Sequence, residues 1–111
     1  MRRAAKVDST QAAIVAALRK AGASVQLLHS VGEGCPDLLV GFRMRNILIE
    51  CKAPTGSFTE DQVDWHRDWR GQVSVAHSAM EALEAIGVHH DPHRAKDFRT
   101  TPRWGTKESK I

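Results

Sequence analysis

The chain has 111 residues, 16 Lys+Arg against 13 Asp+Glu and a net charge of +3, with 41% hydrophobic and 26% charged content. That is room for one small domain, and no apolar run approaches the ~20 residues that a membrane span needs. Residues 1–88 hold ten basic and ten acidic side chains and 89–111 hold six and three, so the excess charge sits in a basic tail appended to a neutral domain.

In chain order, Asp8 with Gln11 forms a helix-start signal, and Ile14, Val15, Leu18 and Ala21 recur on one face before Gly22, which predicts a helix over 9–21. Val25 to His29 reads as a first strand, followed by the turn-rich Gly32-Glu33-Gly34-Cys35-Pro36, whose glycines free the backbone before Asp37. A phosphate-cradling loop would open into a helix, and this one opens into a strand. Asp37 to Gly41 and Asn46 to Lys52 are apolar runs joined by Phe42-Arg43-Met44-Arg45, a predicted β-hairpin. Thr59-Glu60-Asp61-Gln62 is a capping box, with Phe58 and Val63 at the staple positions, ahead of a helix over about 60–70. Gln72 to Ala76 reads as a fourth strand, and Ser78 to Glu81 as a second capping box before Ala82, Leu83 and Ile86. The expected order is αβββαβα: an α/β sandwich on a mixed four-stranded sheet flanked by helices, comprising residues 1–88, with a loosely ordered tail over 89–111.

Register arithmetic on the hairpin brings charges together. If Gly41 pairs with Asn46, Asp37 falls opposite Glu50, with Cβ atoms about 4.5–5.5 Å apart. Strand alternation puts Glu50 and Lys52 on one face and Cys51 on the other. Two opposed carboxylates within otherwise apolar runs repel, and a hard divalent cation would relieve that repulsion. A plainer reading stays open beside it: Lys52 neutralises Glu50 at the sheet edge, and Asp37 is a turn acid following Pro36.

Gly34-Cys35-Pro36-Asp37-Leu38-Leu39-Val40-Gly41, then Leu48-Ile49-Glu50-Cys51-Lys52, then a helix opened by Thr59 to Gln62, resembles the PD-(D/E)XK nuclease superfamily, in particular the small stand-alone VRR-NUC type found in phages and bacteria. The resemblance covers roughly residues 8–87. It implies a restriction-endonuclease-like core and a Mg²⁺- or Mn²⁺-dependent endodeoxyribonuclease. Asp37, Glu50 and the main-chain carbonyl of Cys51 would hold the cation, Lys52 would attend the attacking water and the phosphate charge, and Gln62 would orient water, metal or phosphate. Gln62 is equally accounted for as the capping partner of Thr59. Where many members carry a glutamate on the first helix this chain has Gln11, which weakens the argument for a second metal. Resemblance to junction resolvases makes branched or four-way DNA a candidate substrate and a homodimer the expected assembly.

Phosphate contacts are expected from Arg43 and Arg45 on the hairpin connection, Arg19 and Lys20 at a helix end, and the tail; each also reads as solvated surface charge. Trp65 and Trp69 are expected to pack against the sheet rather than stack on bases, and His66 lies one turn beyond Gln62. His89, His90 and His93 have no second ligand pair at finger-like spacing and read as part of the basic tail. Cys51 reads as a small buried hydrophobe, and both cysteines as reduced. No secretory signal is visible after the basic start, so a cytoplasmic location is expected, that of the host for a phage chain. The reading from another function class is a non-catalytic nucleic-acid-binding module that keeps the fold; a third is a structural protein using the sheet as a platform. The binding module needs the basic surface but not Asp37, Glu50 and Lys52 together, and the platform leaves nucleic-acid affinity unexplained.

Overall fold

A computed structural model describes residues 2–89; Met1 and residues 90–111, and with them His90, His93 and all of the expected tail but His89, lie outside the described residues. The fold is α/β, with the order α1 (Arg2–Lys20), β1 (Ser24–Leu27), β2 (Leu38–Phe42), β3 (Arg45–Cys51), α2 (Glu60–Asp68), β4 (Ser74–Ala76) and α3 (Ala79–Ala85). The element order is the one expected from sequence. The sheet order is β1-β2-β3-β4, antiparallel except for the parallel β3–β4 pair. No helix among the described residues is long and apolar enough to cross a membrane.

α1 starts seven residues before the expected Ser9, so Asp8 lies inside it and is not its N-cap. Alanine, arginine and lysine in the first turns are strong helix formers and extend the helix past that signal. Its end follows the signal: Gly22 takes φ +100°, and the bonds Gly22 N to Arg19 O and Ala23 N to Leu18 O close a Schellman motif. Arg19 and Lys20 in the last turn complement the helix dipole.

The hairpin register matches the arithmetic, with Gly41 paired to Asn46 and Leu38 to Ile49. The connection is tighter than expected, because Phe42 also pairs with Arg45 and leaves only Arg43 and Met44 in the turn. Both adopt left-handed backbone, at φ +52° and +65°, as a two-residue turn of primed type requires to match strand twist. β4 is shorter than expected. Ahead of it the Gln72 side-chain amide takes the place of a strand residue, accepting from Leu48 N at 2.8 Å and donating to Leu48 O at 2.9 Å.

One face of the sheet carries the core. Leu38, Val40, Ile47, Ile49, Cys51 and Ala76 pack there with Ile14 and Leu18 of α1 and Ala82 and Ile86 of α3. α2 belongs to the other face and has no buried residue, so the expected packing of Trp65 and Trp69 against the sheet does not occur. Their rings stack on each other instead, centroids 4.6 Å apart, and Trp69 is 43% exposed. A helix joined to the sheet at its first turn does not need a continuous apolar stripe, and helical spacing alone does not reveal that difference. At α3, Ser78 caps as expected, but Glu81 reaches past it to His77, accepting from the His77 backbone N at 2.8 Å.

Candidate active site

Alternation along β2 and β3 sends Leu38, Ile49 and Cys51 into the core and turns Asp37, Glu50 and Lys52 to the α2 side. Asp37 is fixed across the hairpin end by accepting from the Cys51 backbone N–H at 2.8 Å through Oδ2. Glu50 is 1% exposed, the one buried polar or charged residue among those described. Its Oε2 accepts from Gln62 Nε2 at 3.0 Å and lies 3.9 Å from Lys52 Nζ. Its Oε1 is buried with no hydrogen-bond partner.

Gln62 ties the group together. Its Oε1 accepts from Lys52 Nζ at 2.7 Å and from the Thr59 backbone N at 3.0 Å, while its own backbone N donates to Thr59 Oγ1 at 3.2 Å. Gln62 completes the α2 capping box, as its spacing from Thr59 predicts, and it also bridges Glu50 to Lys52. The bonding fixes the amide orientation, since a flipped amide would set an NH₂ group against an ammonium. Lys52 Nζ lies over the Phe58 ring, 5.0 Å from its centroid, and the Phe58 ring in turn meets the His66 ring at 5.1 Å. Val63, its expected staple partner, is 49% exposed.

The loop before Asp37 is held against this helix. Gly34 has φ +81°, and a Cβ there would collide with the Asp61 carbonyl and approach Gln62 N to 2.9 Å. Gly34 thus supplies a close backbone approach as well as a turn, so the strand bearing Asp37 and the helix bearing Gln62 meet at a glycine.

The electrostatics follow from this burial. Desolvation, then the charge of Asp37, pushes the Glu50 carboxyl up to about 8, against the opposing pull of Lys52. Burial foremost, then the same two carboxylates, raises the Cys51 thiol to about 12, as suits a packed and unreactive cysteine. Cys35 is raised for the same reasons, and both thiols are free. His66 is lowered, first by burial and then by Lys52, and its Nε2 is buried without a partner. His66 borders this site, a position that its spacing of one turn from Gln62 left open.

Among the described residues no group of three or more His, Cys, Asp or Glu side chains is disposed to hold a metal. The donors at hand are two carboxylates, one with an orphaned buried oxygen, and main-chain carbonyls. An all-oxygen set with few protein ligands suits Mg²⁺ or Mn²⁺, which keep several waters, and does not suit Zn²⁺.

The other expected residues lie apart. Gln11 lines a shallow groove with Ala12, Val15, Ala16, Arg19 and Leu27, beside edge strand β1. Arg45 stands five residues from Glu50 along β3, about 17 Å at strand rise, and donates to Ile86 O at 2.9 Å, capping the end of α3. Arg43 lies over the Phe42 ring at 4.8 Å, and Arg19 donates to Val25 O at 3.3 Å. Lys20 is exposed at the α1 terminus. The hairpin arginines thus sit at the opposite end of the strands from the carboxylates. No protein-family model, curated protein or solved structure matches this chain.

Proposed function

We propose that the chain is a divalent-metal-dependent endodeoxyribonuclease with a restriction-endonuclease-like core of PD-(D/E)XK type. The observation that carries the reading is Glu50: a carboxylate at 1% exposure, opposite Asp37, with one oxygen unpartnered and Lys52 and Gln62 fixed against the other. A sheet serving only as scaffold gains nothing from a carboxyl at that depth beside a half-buried second one, since replacing buried charged groups by apolar residues is often neutral or stabilising.

Asp37, Glu50 and the Cys51 carbonyl would hold Mg²⁺ or Mn²⁺, which when bound supplies Lewis-acid polarisation of a phosphoryl oxygen and a bound water of lowered pKa. Asp37 is oriented for this by the Cys51 N–H, and Glu50 by the Gln62 amide. Lys52 places an ammonium beside the carboxylates, where it complements negative charge gathering on the phosphate during hydrolysis. Gln62 holds that ammonium 2.7 Å from its own Oε1, limiting the reorganisation needed at reaction. The products would be a 5′-phosphate and a 3′-hydroxyl. DNA is the proposed substrate, with branched or four-way junctions included, the cytoplasm the proposed compartment and a homodimer the proposed assembly, as paired junction cuts need two sites.

The test is cleavage of a junction, a flap, a duplex and a single strand, each with Mg²⁺, Mn²⁺ or EDTA. Metal-dependent scission of at least one substrate is expected. Binding without scission under every condition would instead assign the chain to the non-catalytic nucleic-acid-binding class.

A further inference from the structure

Beside the side of α2 that carries Gln62 and His66 to the site, the helix presents a second, open side. Asp61, Asp64, Trp65, Asp68 and Trp69 recur at helical spacing and, with Glu33 from the facing loop, line an open groove of about 410 Å³. The stacked pair Trp65–Trp69 forms its floor, and Trp69 is held in place by its Nε1–H donating to Gln72 O at 3.0 Å. Exposed Trp69, stacked on half-buried Trp65, forms a preorganised surface with little entropy to lose when covered.

The charge of the groove selects what would cover it. Four carboxylates line it against one guanidinium: Arg67 bonds Asp64 at 3.0 Å and Asp68 at 2.9 Å. Asp61 and Glu33 have no ion pair or hydrogen bond of their side chains among the described residues. A nucleic-acid backbone would be repelled there, whereas a basic segment would be attracted, and arginine combines charge pairing with stacking on tryptophan faces. The same chain supplies such a segment: Arg94, Lys96, Arg99 and Arg103, with Phe98 and Trp104 among them. Fourteen residues of extended chain from His89 to Arg103 span up to about 50 Å, about half the circumference of a domain of this size.

We propose that the basic segment 94–104 docks in cis on the Trp65–Trp69 groove of α2, its arginines over the stacked rings and against Asp61, Asp64 and Glu33. Docked there, the segment is withheld from polyanions until one competes it away. The proposal stands on the groove and the charge pattern, independently of whether the site cuts DNA.

The test uses the full chain carrying Trp104→Phe, which leaves only Trp65 and Trp69 as tryptophans. Acrylamide quenching of their fluorescence should be low in dilute salt and rise about twofold in 1 M NaCl, where exposed ion pairs are screened. Arg99→Glu with Arg103→Glu should give the high value at every salt concentration, and adding Asp61→Lys with Asp64→Lys to that variant should restore protection. All substituted groove residues are exposed, and circular dichroism verifies the fold of each variant. Quenching indifferent to salt and to the tail substitutions would overturn the proposal. So would protection that grows with protein concentration, which would assign the groove to a second copy, or protection gained only on adding a foreign basic peptide.

Discussion

Glu50→Gln separates a carboxyl kept for chemistry from one kept for stability. In the folded chain the Glu50 carboxyl titrates at about 8 against an ordinary 4.5. An acid whose folded pKa is raised holds its proton in the native state after the unfolded chain has released it. Its contribution is therefore fully present below pH 4.5, is lost as pH rises through about 8, and changes little beyond that. At about 1.4 kcal/mol per pKa unit, wild type loses about 3–5 kcal/mol from this group between pH 4.5 and pH 9. Glutamine is nearly isosteric, can still accept from Gln62 Nε2, and does not titrate. Urea denaturation at fixed pH values from 5 to 9 should show the two proteins within about 1 kcal/mol of each other at pH 5, diverging to an advantage of about 3–5 kcal/mol for the variant at pH 9. Excess Mg²⁺ should narrow that gap at pH 9 by stabilising wild type alone, by about 2.7 kcal/mol at a hundredfold excess over Kd. Parallel pH profiles for the two proteins would refute the assignment of Glu50 as a buried, strained carboxyl.

Other consequences follow from the same geometry. Gly34→Ala forces a left-handed residue to carry a Cβ into the Asp61 carbonyl, so a loss of more than about 2 kcal/mol in thermal or urea unfolding is expected. Replacing Arg43-Met44 by Asn-Gly relieves two left-handed non-glycine residues and should raise stability by about 0.5–1.5 kcal/mol in the same measurement. Gln62→Ala removes a capping partner and the bridge from Glu50 to Lys52, which should cost about 1–3 kcal/mol in urea. Arg45→Ala uncaps α3 and should lower stability by about 1 kcal/mol while leaving DNA affinity nearly unchanged in a filter-binding assay.

Short-range rules reached far along this chain because its elements are bounded by strong local chemistry. Gly22 and Thr59 act where their residue types predict, and strict alternation from a short turn places Asp37 opposite Glu50 without any tertiary information. The misreadings share one cause, the dependence of a side chain on partners distant in sequence. Nothing in the spacing of Trp65 and Trp69 tells whether a sheet lies beneath α2, and nothing local reveals that Arg45 turns to Ile86 or that Gln72 fills in for a strand. Gly34 was legible as a turn, but its contact with Asp61 depends on the packing of two segments about twenty-five residues apart.

The central claim is that Asp37, Glu50 and Lys52 form one hydrolytic site, and the direct measurement is single-turnover cleavage of a labelled DNA junction by wild type and by Lys52→Ala, side by side in Mg²⁺, with both folds verified. Lys52 is not part of the apolar core, although its side chain is only 12% exposed; in the folded variant its removal should lower the cleavage rate by at least about a hundredfold, as loss of a group that stabilises developing charge does. Equal Mg²⁺-dependent rates for the two proteins would contradict the assignment of the site.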